Sequence, residues 1–187
     1  MANRSLVIIL AIVVVGVFGV LLGTSHHHNV NKTLTPPSVA DVNKSLVPET
    51  FTDIDGKNVS LASYQGKKLM VYLLATWCSS CQASLQTLLS NSQTLQKDGI
   101  TLVILKTYGN AGYPGPSMNQ FIASSNNASS SPNNFIFGNA SQALTASYNP
   151  ENTPDIYYLI NPSGIIQTVS STPSASLNTI LKFGQGS

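Results

Sequence analysis

Charge is scarce in this chain. Lys, Arg, Asp and Glu together make up 9% of its 187 residues, against roughly a quarter in an average soluble protein. The net charge of +2 is spread over isolated basic residues and the Lys67-Lys68 pair, so there is no basic stripe to hold a nucleic acid. Cysteine is rarer still, with two residues, both inside Trp77-Cys78-Ser79-Ser80-Cys81. Histidine occurs three times, consecutively, at His26-His27-His28. A surface poor in carboxylates loses little stability as pH falls, because acid denaturation works largely by protonating paired carboxylates. The composition therefore suits an acidic exterior, or simply a low-charge extracellular protein.

What the chain does have, near its start, is an unbroken apolar run. Residues 6–23 (LVIILAIVVVGVFGVLLG) carry no polar face and have about the length needed to cross a bilayer. Arg4 precedes the run, which places the N-terminus in the cytoplasm. A cleaved signal peptide would have a shorter apolar region, about 7–15 residues, ending at an A-x-A-like site. Leu22-Gly23-Thr24-Ser25 matches that poorly. The sequence thus predicts a cytoplasmic tail over 1–5, a single transmembrane anchor over 6–23, a flexible linker over 24–44 containing Pro36-Pro37, and one exported domain over 45–187. The three histidines read as part of a polar spacer just outside the membrane. Sequons at Asn31, Asn43, Asn58, Asn127 and Asn139 agree with an external location.

Within the domain, residues 52–60 read as a hairpin turning at Asp55-Gly56. Residues 69–74 and 100–106 are apolar runs suited to buried strands. Between them a helix is predicted over 79–97, with Leu85, Leu88, Leu89 and Leu95 at helical spacing and Gly99 as its stop. A short helix over 117–124, a Ser/Asn-rich loop over 124–134, and a brief strand or turn over 135–137 follow. A helix over 141–148 leads to strands over 155–160 and 165–170, joined by Asn161-Pro162-Ser163-Gly164. A closing helix covers 174–183. The expected class is α/β, with a central mixed sheet flanked by helices on both faces.

The C-x-x-C spacing has a chemical meaning. It puts Cys78 at a helix start, where unpaired N–H groups and the helix dipole favour a thiolate. Cys81 lies one turn in, near enough to close a small disulfide ring. As a purely structural staple, so short a ring would remove little unfolded-state entropy. Two thiols supply only half of a four-ligand zinc site, and the histidines are far away in sequence. A redox dithiol, cycling through a mixed disulfide, fits best. Thr153-Pro154 stands directly before the 155–160 strand, where proline is tolerated. It is either an ordinary trans strand-starter or a maintained cis peptide, and it leaves a backbone edge to which another chain can pair. Residues 108–116 (YGNAGYPGP) read as a stiffened surface loop, or, through Tyr113, Pro114 and Pro116, as a partner-binding lip.

Taken together, certain stretches resemble the TlpA/ResA-type branch of the thioredoxin superfamily over about residues 47–166. They are Phe51-Thr52-Asp53-Ile54-Asp55-Gly56-Lys57 with Val59-Ser60-Leu61, Gly66-Lys67-Lys68, Ala75-Thr76-Trp77-Cys78 with Cys81, Tyr148, Thr153-Pro154, and Leu159-Ile160-Asn161-Pro162-Ser163-Gly164. The resemblance implies a thioredoxin-like fold, Cys78 as attacking thiol, Cys81 as resolving thiol and Pro154 as a cis-proline. Trp77, Thr153 and Pro154 would then contact substrate. It also implies a membrane-anchored, extracytoplasmic thiol–disulfide oxidoreductase acting on cysteines of exported proteins, in cytochrome c maturation or metal-site assembly. No organic cofactor is implied beyond the Cys78–Cys81 disulfide, and a membrane electron donor or acceptor would be the partner for turnover.

Three positions depart from the pattern. Ser80 stands where proline is usual, and Ser79 where some members carry an acid. Six residues before Cys78, where thioredoxins keep a buried carboxylate and many relatives an Asn, this chain has Tyr72. A phenol is a poor base near neutrality, which leaves water or Lys106 to take the Cys81 proton. Two other classes compete. A copper metallochaperone would hold Cu(I) between the thiolates, although Sco-type proteins use C-x-x-x-C and a histidine within the domain. A non-catalytic thioredoxin-like module of a membrane complex would not need both cysteines.

Overall fold

The computed structural model describes residues 40–125 and 132–186. The predicted anchor over 6–23, His26-His27-His28 and most of the linker lie outside the described residues, as do Asn31 and Asn127. Among the described residues, no helix is long and apolar enough to cross a membrane.

Seven strands form one sheet: β1 (Thr50–Asp53), β2 (Asn58–Ser60), β3 (Lys68–Leu74), β4 (Ile100–Lys106), β5 (Phe135–Ala140), β6 (Asp155–Ile160) and β7 (Ile166–Ser171), in the spatial order β2-β1-β5-β4-β3-β6-β7. β3, β4 and β5 run parallel, while β1 is antiparallel to β5 and β2, and β6 is antiparallel to β3 and β7. Among the described residues there are five α-helices: α1 (Ser79–Ser90), α2 (Ser92–Lys97), α3 (Met118–Ala123), α4 (Gln142–Tyr148) and α5 (Leu177–Gln185).

The continuous apolar character of β3 follows from its position, because parallel strands covered on both faces have no solvent side. Alternation sends Met70, Tyr72 and Leu74 into one core layer with Leu102, Ile104, Tyr157 and residues of α1, α2, α3 and α5. Leu69, Val71 and Leu73 enter the opposite layer with Val103, Leu105, Tyr158 and Leu144 of α4. The sheet's C-terminal edge at Leu74 delivers the chain directly into the cysteine motif.

The structure differs from the sequence prediction in three places. The 79–97 helix is broken at Asn91, whose side-chain Nδ2 donates to the Thr87 carbonyl at 2.8 Å. A short amide side chain competes with the backbone for helical carbonyls, and the helix restarts one residue later. The 135–137 segment is a full strand inside the sheet, with Gly138 close under β1: a Cβ there would lie 2.4 Å from the Thr52 carbonyl oxygen. Finally, the described residues of the predicted linker pack against the domain. Ala40 is buried and donates to the Ser147 carbonyl, and Asn43 donates to the Ile166 carbonyl.

Candidate active site: a buried dithiol with a carboxylate behind it

Cys78 is the N-cap of α1, and its Sγ accepts the Cys81 main-chain N–H at 3.3 Å. The Ser80 hydroxyl lies 3.0 Å from the same sulfur. Two polar groups therefore face this sulfur at the N-terminal end of a helix. Both thiols are free. Cys78 is 7% exposed and Cys81 is fully covered, so only the first sulfur can meet another molecule without rearrangement.

Cys81 donates its thiol proton to the Pro154 carbonyl, at 2.7 Å. Burial pushes the Cys81 thiol far above its ordinary range, and contact with Cys78 and the charge of Asp155 act in the same direction. Thiolate formation at Cys81 thus needs a specific acceptor. Lys106, one of the two relays inferred from sequence, lines a groove with Asp53, Ser117 and Asn139 and forms no hydrogen bond with Cys81.

Asp155 was absent from the sequence-derived site. It is 4% exposed, at the first position of β6, and its Oδ1 accepts the Tyr72 hydroxyl at 2.8 Å. Its Oδ2 has no hydrogen-bond partner among the described residues. One carboxylate oxygen of Asp155 and the sulfurs of Cys78 and Cys81 all lie within 4.8 Å of one another. Burial is the first cause that raises the Tyr72 phenol well above its usual value, followed by the charges of Cys81 and Asp155. The available signal was a carboxylate opening an otherwise apolar strand (DIYYLI) immediately after the motif proline. Among the described residues these three are the single cluster of metal-type donors. It falls short of a four-ligand structural site, and one of its sulfurs holds its proton on a carbonyl.

Pro154 lies beside the dithiol, but the bond preceding it is trans. The cis-proline implied by the family resemblance is therefore not present here. The trans form is favoured for X–Pro bonds by about 0.5–1 kcal/mol, and in it the Pro154 carbonyl accepts both Ala75 N–H, at 2.8 Å, and the Cys81 thiol. The adjoining backbone edge is also occupied. Thr153 N–H donates to Asn149 Oδ1, and the Thr153 carbonyl accepts Asn149 Nδ2, both at 2.8 Å. An added strand at Thr153 has to displace that side-chain amide.

The 108–116 loop is fastened to the cysteine motif. Buried Asn110 accepts Thr76 N–H at 2.8 Å through Oδ1 and donates to the Tyr113 carbonyl at 3.0 Å. Trp77 Nε1 donates to the Asn110 carbonyl at 2.7 Å, and the Trp77 ring meets Tyr113 edge-on at 5.2 Å. Gly115 permits this approach, since a Cβ would sit 2.8 Å from Thr76 Oγ1. Trp77 and Tyr113 remain 41% and 63% exposed, and with Pro114 they form an open apolar shelf beside the dithiol loop.

This is a thioredoxin-like fold carrying a dithiol at a strand-to-helix junction. The chain belongs to the Redoxin family, whose model matches residues 39–176. No curated protein sequence matches it. Among solved structures it is similar to a secreted disulfide oxidoreductase of Mycobacterium tuberculosis homologous to E. coli DsbE, at 24% identity over 71% of this chain and 93% of that one, TM-score 0.52. It is also similar to a thiol:disulfide interchange protein from Chlorobium tepidum, at 22% identity over 78% and 99%, TM-score 0.57. A third likeness is to the thioredoxin domain of a thiol–disulfide oxidoreductase from Bacteroides vulgatus, at 19% identity over 76% and 97%, TM-score 0.58. Family and dithiol together put the chain in the class of thioredoxin-like thiol–disulfide oxidoreductases.

Proposed function

We propose that this protein is a membrane-anchored, extracytoplasmic enzyme that exchanges disulfides with cysteine-containing exported proteins, of the kind awaiting cytochrome c maturation or metal-site assembly. The observation that carries the reading is the asymmetry of the dithiol: Cys78 keeps a small exposed area and has two polar groups on its sulfur, while Cys81 is fully enclosed one helical turn behind it. Cys78 attacks a substrate disulfide and forms the mixed disulfide. Cys81 then attacks Cys78 and releases the product thiol. The substrate segment lies across Cys78, between Trp77 and the Thr153-Pro154 edge. The apolar 6–23 run supports the anchor, and turnover calls for a membrane electron donor or acceptor.

Cys81→Ser in the full chain tests this in membranes. Covalent partners should accumulate on Cys78, disappear on reduction, and be missing from the variant lacking both cysteines. If none form, and the purified wild-type protein instead retains copper at stoichiometric level, the exchange reading fails and a copper carrier replaces it.

A further inference from the structure

We propose that Asp155 accepts the Cys81 proton during resolution of the mixed disulfide, with Tyr72 holding the carboxylate in place. The proposal deepens the exchange reading and rests on it. Three observations lead to it. Cys81 is enclosed and protonated, with its hydrogen lodged on the Pro154 carbonyl. A carbonyl oxygen positions that proton but cannot remove it at neutral pH. Within 4.8 Å of Cys81 lies a carboxylate with one oxygen fixed and the other unpartnered although buried. A buried acceptor left without a donor costs about 1–3 kcal/mol, and accepting a proton from the thiol satisfies it.

Cys81 S–H gives its proton to Asp155 Oδ2, directly or through one water, the span a single water bridges. The freed electron pair on Cys81 Sγ forms a bond to Cys78 Sγ. The bond between Cys78 Sγ and the substrate sulfur breaks, and that sulfur leaves as a thiolate. The proton on Asp155 passes to it or to water. The dithiol loses two electrons and the substrate disulfide gains them. Only the S–H rotor has to turn, away from Pro154 and toward Asp155.

The titratable groups facing Asp155 are few. β3 contributes Tyr72, and the start of α1 contributes Cys78 and Cys81. On its own strand, Tyr157 turns its hydroxyl to Ser176 instead. β7 (IQTVSS) carries no titratable or charged side chain.

A two-phase reaction tests the idea without a known substrate. The reduced full chain, in detergent, is mixed with the aromatic disulfide 5,5′-dithiobis(2-nitrobenzoate). The first thionitrobenzoate released reports attack by Cys78, and the second reports resolution by Cys81. In the wild type the second phase should be nearly flat from about pH 6 to about pH 9, because the proton acceptor belongs to the protein and is not solvent hydroxide. Asp155→Asn, which still accepts the Tyr72 hydroxyl, should slow the second phase about 100-fold at neutral pH and make it rise about tenfold per pH unit. The first phase should stay within a few-fold, and Asp155→Glu should restore the flat profile. An unchanged second phase in Asp155→Asn overturns the proposal. So does a wild-type second phase that climbs steadily with pH, a result that needs no variant to fold. A wild type with no second phase sinks the exchange reading itself, so the two failures are distinct.

Discussion

The Tyr72 hydroxyl donates to Asp155 Oδ1 at 2.8 Å across two neighbouring antiparallel strands. In the ladder Tyr72 stands opposite Tyr157 and Asp155 stands opposite Leu74, so the bond runs diagonally over one face of the sheet. The family resemblance places a buried carboxylate or an Asn six residues before the first cysteine. Here the adjacent strand contributes the acid, and the phenol in the usual position anchors it.

Tyr72→Phe removes the one donor that the Asp155 side chain has among the described residues and leaves both of its oxygens buried without a partner there. Urea unfolding at neutral pH should show a loss of about 1–3 kcal/mol. An unchanged midpoint would mean that the hydroxyl bond contributes nothing to the fold.

Ser80 replaces the proline usual before the second cysteine, and its hydroxyl sits 3.0 Å from Cys78 Sγ. Ser80→Ala leaves the Cys81 N–H as the remaining partner of that sulfur among the described residues. A single hydrogen bond of about 1 kcal/mol corresponds to roughly a fivefold change, so iodoacetamide should modify Cys78 severalfold more slowly or faster according to which partner donates. If the hydroxyl donates to the sulfur, it stabilises the attacking species, and its loss slows attack. We expect that slower outcome; a rate equal to wild type would remove Ser80 from the site.

The sequence disclosed those parts of the molecule whose cause is local. β3 and β4 read as apolar runs because both of their faces are covered, and the α1 start was visible because two cysteines at that spacing suit a helix N-terminus. The Asp155 position was not readable in the same way. Its partner is 83 residues away in sequence, and only strand register brings the two together. The same holds for β5, where Gly138 and Asn139 interrupt the apolar run and the strand is recognisable only by its place between β1 and β4. The Thr153 edge, open on sequence grounds, is closed by Asn149, a residue of ordinary loop composition.

Asn110 couples the 108–116 loop to the dithiol. Replacing it with Ala leaves buried Thr76 N–H without its 2.8 Å partner and frees the Tyr113 carbonyl. A cost of about 1–3 kcal/mol should follow. The chain has a single tryptophan, and its indole N–H rests on the Asn110 carbonyl, so fluorescence reads this site alone. In Asn110→Ala the Trp77 emission should shift to longer wavelength and become easier to quench with acrylamide. Equal quenching in both proteins would show that the loop holds its place without the side chain.

The fold should weaken in alkali. Burial raises Cys81, Tyr72 and Tyr148 far above their ordinary values, and burial together with Asp41 pushes Tyr158 up to about 12. In the unfolded chain a thiol titrates near about 8.5 and a phenol near about 10. The folded state therefore keeps protons that the unfolded state releases above those values. Stability from these groups is fully present below the unfolded values and falls as pH rises through them toward the folded ones. Urea midpoints of the reduced protein should be insensitive to these groups below about pH 8, decline first from about pH 8.5, and fall more steeply beyond about pH 10. Cys81→Ser should lose the earlier decline and keep the later one, because the tyrosines remain. Closing the Cys78–Cys81 disulfide also removes that thiol and should abolish the same early limb. A midpoint that stays level to about pH 11 would contradict the burial that defines the resolving thiol.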